Sequence, residues 1–345
     1  MSKEPWVPLP PPIEETISMH HYGHVEDTQP TSGATPLPAH MPLLAGQRRR
    51  RSRLFLLLPV FLLLVSLAGG LAAGGYALWQ WTGTLPRTNL LILGLDRRPD
   101  QGSVVRSDTM ILMTVYPAGP RIALLSIPRD LYVEIPGYGT NRINTAHFWG
   151  ENELAENGPV LAVQTVAQNL GVPVHHHLRV DFNGFRAIVD AVGGIDVVVE
   201  RAIVDEGYPT EDYGTIRIEI PAGPQHMDGE TALRYARSRH GASDLDRAMR
   251  QQQVLTALAR RLLEPKVWLR LPAVIQVVME NVETDMTAQD LLLLAPTLLR
   301  VGPDGIEQHV IGREMTEPWT TPTGGAVLLP RWEAIHPLVQ DLFTP

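Results

Sequence analysis

A long apolar segment without charge divides the chain. Residues 54–81 read LFLLLPVFLLLVSLAGGLAAGGYALWQW and contain no charged side chain. A helix needs about 20 consecutive apolar residues to cross the hydrocarbon core of a bilayer, and this segment is longer. The sequence therefore predicts one transmembrane helix over residues 54–81.

The basic residues that flank this segment predict its orientation. Five arginines lie in QRRRRSR at residues 47–53, whereas the first charge after the segment is Arg87. Because Lys and Arg are enriched on the cytoplasmic side of membrane helices, we expect a single-pass protein of the cell membrane with a cytoplasmic N-terminus and an extracytoplasmic C-terminal region. The alternative is a cleaved signal peptide, which the length of the apolar segment and the long polar region before it disfavour. Gly70 and Gly74 have the GxxxG spacing that could pair two such helices in a homodimer.

Composition separates a tail from the outer region. Residues 1–53 are rich in proline and polar residues, so we expect a disordered cytoplasmic tail. This tail holds six of the 29 basic and five of the 37 acidic residues, which leaves 23 basic and 32 acidic residues outside it. An acidic outer region is a poor candidate for binding nucleic acid. The chain contains no cysteine, which excludes disulfides and thiolate metal sites.

The apolar pattern of the outer region predicts its fold class. NLLILGL, MILMTVY and RIALLSI read as short buried strands, and helical spacing then alternates with further strands along the chain. Such alternation indicates an α/β domain, a single extracytoplasmic domain whose central mixed sheet is covered by helices in an α-β-α arrangement. We expect a linker at 82–88, the main domain at 89–265 and a helical extension at 266–345 that packs on the same domain.

Charged side chains follow or precede the first predicted strands. Asp96 follows the first strand, Asp108 stands at the start of the second, and Arg129 follows the third. Ligands of open α/β sheets bind at the carboxyl ends of strands. Two carboxylates there could share Mg²⁺, which accepts one or two carboxylates and fills its other positions with water and phosphate oxygens. Arginines around such a metal would pair with phosphate through their planar guanidinium groups.

A second cluster of arginines lies in RYARSRHGASDLDRAMRQQ. Arg247 and Gln251 are four residues apart, so they share one face of a helix. Arg237 and Arg239 could join them at a pyrophosphate, or they could form a solvated helical face. The carboxylates also have structural alternatives, because aspartate commonly caps turns and helices. The histidines at 175–177 are a weak metal candidate, since on a strand only alternate side chains converge.

Seven segments in order resemble the motifs of the LytR-CpsA-Psr family, and they cover about residues 89–260. They are LGLDRR, RSDTM, SIPRDLYVEIPGYG, RINTAH, VDFNGFRAIVDAVGGIDV, MDGETALRYARSR and DLDRAMRQQ. The resemblance implies a membrane-anchored, Mg²⁺-dependent phosphotransferase. Such an enzyme moves a glycan phosphate from a polyprenyl-pyrophosphate carrier to a hydroxyl of a cell-wall acceptor of the peptidoglycan type.

The resemblance also implies roles for individual residues. Asp96 and Asp108 would be catalytic carboxylates that hold the metal, and Arg129 would be a third catalytic residue. Residues 89–265 would be the catalytic domain, with the polyprenyl chain in an apolar tunnel between sheet and helices. The sequence departs from the family in HHHLRV and in a short loop between Arg239 and Arg247. The side chains expected to bind the pyrophosphate are Arg97, Arg106, Arg237, Arg239, Arg247 and Gln251.

Two other functions remain open at the level of sequence. One is a hydrolase that cleaves the same pyrophosphate with water as the acceptor. The other is a cell-envelope-related transcriptional attenuator without catalysis, a label that the family has long carried. An attenuator would need a cytoplasmic reader, and residues 1–53 contain no helix-turn-helix pattern.

Overall fold

The structure is a computed structural model. It describes residues 85–97, 102–238 and 244–344 and, before them, short helical pieces at 65–66, 69–70, 73–77 and 79–81. The predicted tail and most of the predicted membrane segment therefore lie outside the described residues. Among the helices that are described, none has the length and apolar character to cross a membrane.

Fourteen strands are described. In chain order they are β1 Thr88–Leu95, β2 Ser107–Tyr116, β3 Arg121–Ser126, β4 Tyr132–Ile135, β5 Gly139–Arg142, β6 His176–Asp181, β7 Ile195–Val199, β8 Ile203–Pro209, β9 Thr215–Ile220, β10 Gly223–Met227, β11 Val282–Thr284, β12 Glu307–Val310, β13 Thr316–Thr320 and β14 Ala326–Pro330.

The strands are accompanied by helices, which we number within the described residues. They are α1 Thr145–Glu153, α2 Asn157–Leu170, α3 Phe182–Ala191, α4 Gly229–Arg237, α5 Asp244–Leu262, α6 Pro265–Trp268, α7 Leu271–Asn281, α8 Ala288–Val301 and α9 Trp332–Phe343.

Six strands form the central sheet in the order β11-β6-β1-β2-β3-β12. The pairs β1–β6 and β3–β12 are parallel, and the other three pairs are antiparallel. The predicted α/β class with a mixed central sheet is confirmed. The predicted helical extension at 266–345 needs a correction, because this region also supplies both edge strands of the sheet. The sequence pattern near 306–311 predicts β12, but nothing in it predicts β11. β11 is three residues long, too short to show a strand periodicity in the sequence.

Alternation along β1 distributes its side chains over the two faces of the sheet. Leu91 and Leu93 are fully buried in the main core, which α2 and α9 complete. Ile92 and Gly94 point to the opposite face, beneath α3, α4 and α5. A second buried cluster joins those three helices to β7 and β10. The sheet therefore has helices on both faces, but the two faces are packed differently.

The end of β1 is shaped by a close approach to β2. A Cβ on Gly94 would stand 2.9 Å from the Cβ of Thr109, so a larger residue would push the strands apart. The register between β1 and β2 shifts between Gly94 and Leu95. Such an irregularity bends the strand and changes the direction of the side chains that follow, and here it lies immediately before Asp96.

A buried glutamine fixes α5 on the sheet. Gln252 donates hydrogen bonds from Nε2 to Ser126 Oγ at 2.8 Å and to the carbonyl oxygen of His309 at 2.6 Å. Both acceptors lie at the ends of neighbouring strands, β3 and β12. This contact sets the rotation of α5 and hence the direction of Arg247 and Gln251.

The start of α4 approaches α3 so closely that only glycine fits. A Cβ on Gly229 would stand 2.4 Å from the carbonyl oxygen of Arg186. We expect Gly229→Ala to lower the free energy of unfolding by about 1–3 kcal/mol, as overpacking typically does, with urea unfolding as the measurement. Gly207→Ala is the control, because nothing lies within 4 Å of its Cβ position. Equal stability of the two variants would contradict this close approach.

Candidate active site

The sheet topology brings the predicted site residues to one edge. β1 and β6 are parallel and end side by side, with Leu95 opposite Asp181. β2 is antiparallel to both β1 and β3, so it starts where these two strands end, with Leu95 opposite Ser107. The residues that follow β1 and β3 and those that begin β2 therefore meet.

Asp96 is paired with Arg237, the last residue of α4. Arg237 Nη2 lies 3.3 Å from Asp96 Oδ2, and its Nη1 donates to the hydroxyl of Tyr208 at 3.3 Å. The guanidinium carbon lies 3.9 Å from the ring centroid of Phe182, an arrangement in which the ring face attracts the cation. Burial raises the pKa of Tyr208 above its usual value, so its hydroxyl stays neutral. Arg237 is thus fixed from three sides.

Asp108 begins a row of alternating charges. Arg129 Nη1 lies 3.2 Å from Asp108 Oδ1 and its Nε lies 3.5 Å from Asp130 Oδ2, and Arg142 Nε lies 3.2 Å from Asp130 Oδ1. Burial lowers the pKa of Arg129, but the attraction of Asp108 and Asp130 and the hydrogen bond to Asp108 raise it overall. Only 21% of the Arg129 side chain is exposed. Arg129 is therefore a permanent, oriented cation.

Asp96, Asp108, Phe182 and Arg237 line a pocket of about 780 Å³ together with Asp205 and Glu206, and we call it the charged pocket. An adjoining pocket of about 340 Å³, the side pocket, shares Asp108, Arg247 and Gln251 with it and adds Arg129 and Arg313. Because the residues are shared, the two spaces border each other along Asp108 and α5. The predicted site residues that line the charged pocket are Asp96, Asp108, Arg237, Arg247 and Gln251.

Behind the charged pocket lies an apolar cavity of about 100 Å³. It occupies the space between the sheet and helices α3, α4 and α5. It shares Arg237 and Gln251 with the charged pocket, so the two meet there. Side chains that give the cavity its apolar character are Ile92, Ile111, Phe185, Leu233 and Val254.

Three predicted residues are placed differently or lie outside the described residues. Arg97 donates from Nε to Asp181 at 3.0 Å and lies 3.9 Å from Glu283, and it lines none of these pockets. Asp181 also accepts from the backbone N–H of Gly184 and so caps α3. Arg106 is exposed and lines a different pocket. Arg239 lies outside the described residues.

Asp96 and Asp108 carry the carboxylate oxygens that Mg²⁺ prefers as ligands. Asp96 Oδ1 is buried and finds no hydrogen-bond partner among the residues that the structure describes, which suits a ligand atom. Within the described ranges no group of three His, Asp or Glu side chains could hold a metal. Mg²⁺ does not require one, since it is commonly bound by one or two carboxylates together with substrate phosphates and water. The histidines of the 175–177 run have other partners, for His175 Nδ1 accepts from the Asn89 N–H and His177 lies 3.3 Å from Asp285.

Some residues of the site carry no signal in the sequence. The rings of Phe182 and Tyr208 both contact the guanidinium group of Arg237. In the sequence, neither the spacing nor the neighbours of these two residues indicate that they belong to a charged site. Asp130 joins Arg129 to Arg142. Its position directly after Arg129 was the one available hint, and it fitted a structural role equally well.

A buried polar cluster holds the segment that leads to Asp108. His147 is fully buried on α1, and its Nδ1 lies 2.7 Å from the carbonyl oxygen of Val105. Because a carbonyl can only accept, Nδ1 carries the proton, and Nε2 accepts from Arg179 Nη1 at 3.2 Å. Arg179 also pairs with Glu151 at 3.1 Å and with Glu283. Burial, which outweighs the hydrogen bond to Val105, lowers the pKa of His147 and agrees with this neutral form.

With this geometry in view, the comparisons define the class of protein. The sequence matches the LytR_cpsA_psr family over residues 84–324. This match covers more than half of the chain, so the protein belongs to the LytR_cpsA_psr family. The resemblance that the motifs indicated is confirmed.

Individual relatives are named as transferases. The polyisoprenyl-teichoic acid–peptidoglycan teichoic acid transferase TagU of Oceanobacillus iheyensis is 36% identical over 208 residues, which cover 60% of this chain and 61% of TagU. TagT of Bacillus subtilis, which has the same transferase description, is 32% identical over 214 residues, which cover 60% of this chain and 63% of TagT. The match thus spans about three fifths of the length of these relatives.

Solved structures share the fold. Bacillus subtilis TagV superposes with a TM-score of 0.62 at 28% identity and covers 75% of this chain and 99% of its own. A structure of TagT bound to LI-WTA has a TM-score of 0.60 at 25% identity and covers 76% of this chain and 93% of its own.

The neutral His147 predicts a pH dependence of stability. A histidine in the unfolded chain has a pKa near 6.5, and the pKa of His147 in the folded protein is lower. The contribution of the neutral His147 to the free energy of unfolding is therefore complete above pH 6.5 and is lost as the pH falls from 6.5 through the folded pKa. We expect His147→Asn to lower the free energy of unfolding by about 1–3 kcal/mol at pH 7.5. At pH 5 the difference from the wild type should be smaller.

Urea unfolding at the two pH values measures this difference. His177, whose pKa burial also lowers, is present in both proteins, so the comparison isolates His147. His226→Asn replaces an exposed histidine and serves as the control, for which little change is expected. A difference that stays constant or grows on acidification would contradict a neutral, buried His147.

Proposed function

We propose that the protein is a membrane-anchored phosphotransferase. It moves a glycan phosphate from a polyprenyl-pyrophosphate carrier to a hydroxyl of a peptidoglycan-type acceptor. The observation that carries the proposal is the junction of the charged pocket with the apolar cavity at Arg237 and Gln251. A ligand that fits both spaces has a polyanionic group joined to an apolar chain. The names of the relatives agree with this chemistry.

The pyrophosphate is bound by arginines on three different elements. Arg237 at the end of α4, Arg247 on α5 and Arg129 after β3 approach the pockets from separate directions. Guanidinium groups pair well with phosphate oxygens because their fork of N–H donors matches them. The first part of the prenyl chain enters the apolar cavity.

The reaction is an in-line displacement at the phosphorus that carries the glycan. The acceptor hydroxyl oxygen forms the new P–O bond, and the bond to the polyprenyl phosphate breaks. Such transfers depend chiefly on positioning and on stabilisation of charge on the phosphate oxygens. Arg129 and Arg237 are suited to this task because their carboxylate partners and the Phe182 ring orient them before substrate binds.

Magnesium belongs to the proposal as the cofactor. Asp96 and Asp108 would hold it, and the buried, unpartnered Oδ1 of Asp96 supports this assignment. When bound, the ion would neutralise charge on the phosphate oxygens. The contact of Asp108 with Arg129 places a cation beside the second carboxylate and so orients it toward the pocket.

The distribution of charge in the sequence supports a location at the cell membrane. We propose a single span over residues 54–81, a cytoplasmic N-terminus and an extracytoplasmic catalytic domain, because the arginines lie before the span. A membrane anchor would keep the charged pocket close to a carrier lipid. The pairing of two copies through Gly70 and Gly74 stays a prediction, which no described contact supports.

Transfer of a label tests the proposal. The full chain in detergent is incubated with Mg²⁺, peptidoglycan fragments and a polyprenyl-pyrophosphate glycan that is labelled in the glycan. Label on the fragments is the expected result. Free glycan phosphate alone would instead identify the hydrolase, and an intact carrier lipid would contradict both enzymatic functions.

Arg129→Ala should lower kcat about 10²–10³-fold, as loss of one oriented donor to a developing charge typically does. The measurement is the initial rate of transfer in the assay above. Arg260→Ala is the matched control, because Arg260 is 51% exposed and pairs with Asp304, and its rate should be that of the wild type. A folded Arg129→Ala protein with the wild-type rate would remove Arg129 from the site.

Asp96→Asn and Asp108→Asn should each shift the Mg²⁺ titration of the rate to higher concentration. An amide keeps the shape of the carboxylate but loses the charge that binds a hard cation. The measurement is the transfer rate as a function of Mg²⁺ concentration. If both variants titrate like the wild type, the two aspartates do not hold the ion.

A further inference from the structure

A further pocket, of about 510 Å³, lies beside the candidate active site. It is formed by the β4–β5 hairpin, α1 and the turn between β13 and β14. We call it the aromatic pocket, because three aromatic rings line it beside two arginines and several hydroxyl side chains. The residues used below are Arg106, Tyr132, Arg142, Phe148, Trp149 and Thr323.

The rings of the aromatic pocket are held by other rings. Trp149 stacks on Tyr138 at 5.5 Å between centroids and meets the edge of Phe148 at 5.2 Å. Tyr132 packs against Trp319 at 5.6 Å. Trp149 and Tyr132 are only half-buried. Fixed, partly exposed aromatic faces with polar neighbours suit a ligand that has both apolar C–H faces and hydroxyl groups, which is the chemistry of a saccharide.

The two arginines of the pocket differ in their surroundings. Arg142 is held, since its Nε pairs with Asp130 and its Nη2 donates to the carbonyl oxygen of Ala326 at 2.8 Å. Arg106 is exposed, and within the described part of the chain no hydrogen bond or ion pair involves it. The pocket therefore offers one fixed cation and one available cation. An anionic substituent on the saccharide would satisfy Arg106.

The aromatic pocket is joined to the site of phosphate chemistry. Asp130 pairs with both Arg142 and Arg129, and Arg129 pairs with Asp108. Arg106 stands two residues before Asp108 in the chain. The apolar cavity, by contrast, meets the charged pocket at Arg237. In-line displacement requires the nucleophile opposite the leaving group, so the acceptor belongs on the Arg129 side, where the aromatic pocket lies.

We propose that the aromatic pocket binds the saccharide of the acceptor, with an anionic group of that glycan at Arg106. The inference rests on the proposed function and extends it by assigning the acceptor a place. It also assigns Arg106 to the acceptor rather than to the pyrophosphate. The turn between β13 and β14 contributes Thr323, so the region after residue 265 takes part in substrate binding.

A saccharide is also present on the donor, so the test must separate the two sources. The full chain in detergent is assayed for the KM of peptidoglycan fragments, the KM of the labelled carrier lipid, and the release of glycan phosphate to water. Trp149→Ala should raise the KM of the fragments about tenfold. The KM of the carrier lipid and the rate of glycan phosphate release to water should not change. With Trp149→Phe, the KM of the fragments should return most of the way to the wild-type value.

Trp268→Ala is the matched control, since Trp268 is 55% exposed and lies outside the pocket. Its kinetic constants should equal those of the wild type. A rise in the KM of the carrier lipid in Trp149→Ala would overturn the proposal, because the pocket would then hold the glycan of the donor. If the transfer rate and the rate of glycan phosphate release to water fall equally in Trp149→Ala and neither KM changes, the proposal is also overturned, and Trp149 has a structural role.

Charge recognition is tested by calorimetric binding, which does not depend on turnover. Arg106→Gln should weaken binding of fragments that carry free carboxylates about twofold to fivefold, as loss of an exposed ion pair does. It should leave binding of the same fragments with amidated carboxyl groups unchanged. Equal binding of both ligands by the variant and the wild type would overturn the assignment of Arg106. If the carrier lipid is never cleaved but these fragments bind as expected, the proposed function fails while the pocket stands.

Discussion

The pairing of carboxylates with arginines at one edge of the sheet is the constraint on which the site depends. Asp96 pairs with Arg237, Asp108 with Arg129, and Asp130 with both Arg129 and Arg142. Partly buried cations left without partners would be costly, so these pairs hold the arginines in place before substrate binds. The pairs also require the ends of β1 and β3 and the start of β2 to meet, which only the mixed sheet order provides.

The two faces of the sheet serve different purposes. On one face, α2 and α9 close a dense core around Leu91 and Leu93. On the other, the cover of α3, α4 and α5 leaves the apolar cavity open to the charged pocket. Gln252 fixes α5 over that gap from the ends of β3 and β12. The same helices thus position Arg237, Arg247 and Gln251 and enclose the apolar space.

The sequence predicts the central strands well and the peripheral ones poorly. β1, β2 and β3 are buried and apolar over their length, so their pattern is clear. β4 and β5 are four residues long and pair only with each other, and the β13–β14 hairpin is exposed on one strand. Strands this short and this exposed contain too few alternations of apolar and polar residues to be recognised in the sequence. The aromatic pocket, which these hairpins build, could therefore not be predicted.

The site was predictable in its centre and not at its rim. Asp96 and Asp108 lie together because strand ends converge, which motifs and topology indicate together, and Arg237 reaches Asp96 from the end of α4. Arg97 does not join them, because neighbouring side chains of an extended chain point in opposite directions, and it pairs with Asp181 instead. Arg106 precedes the first residue of β2, so no strand register fixes its direction.

A crystal structure of the protein with geranyl pyrophosphate would show whether the charged pocket and the apolar cavity together bind a prenyl pyrophosphate. We expect phosphate oxygens in contact with Arg129, Arg237 and Arg247, and the prenyl group between Ile92 and Phe185 in the apolar cavity. A pyrophosphate bound at Arg97 or in the aromatic pocket, with Arg129 and Arg237 still paired to their aspartates, would contradict this expectation.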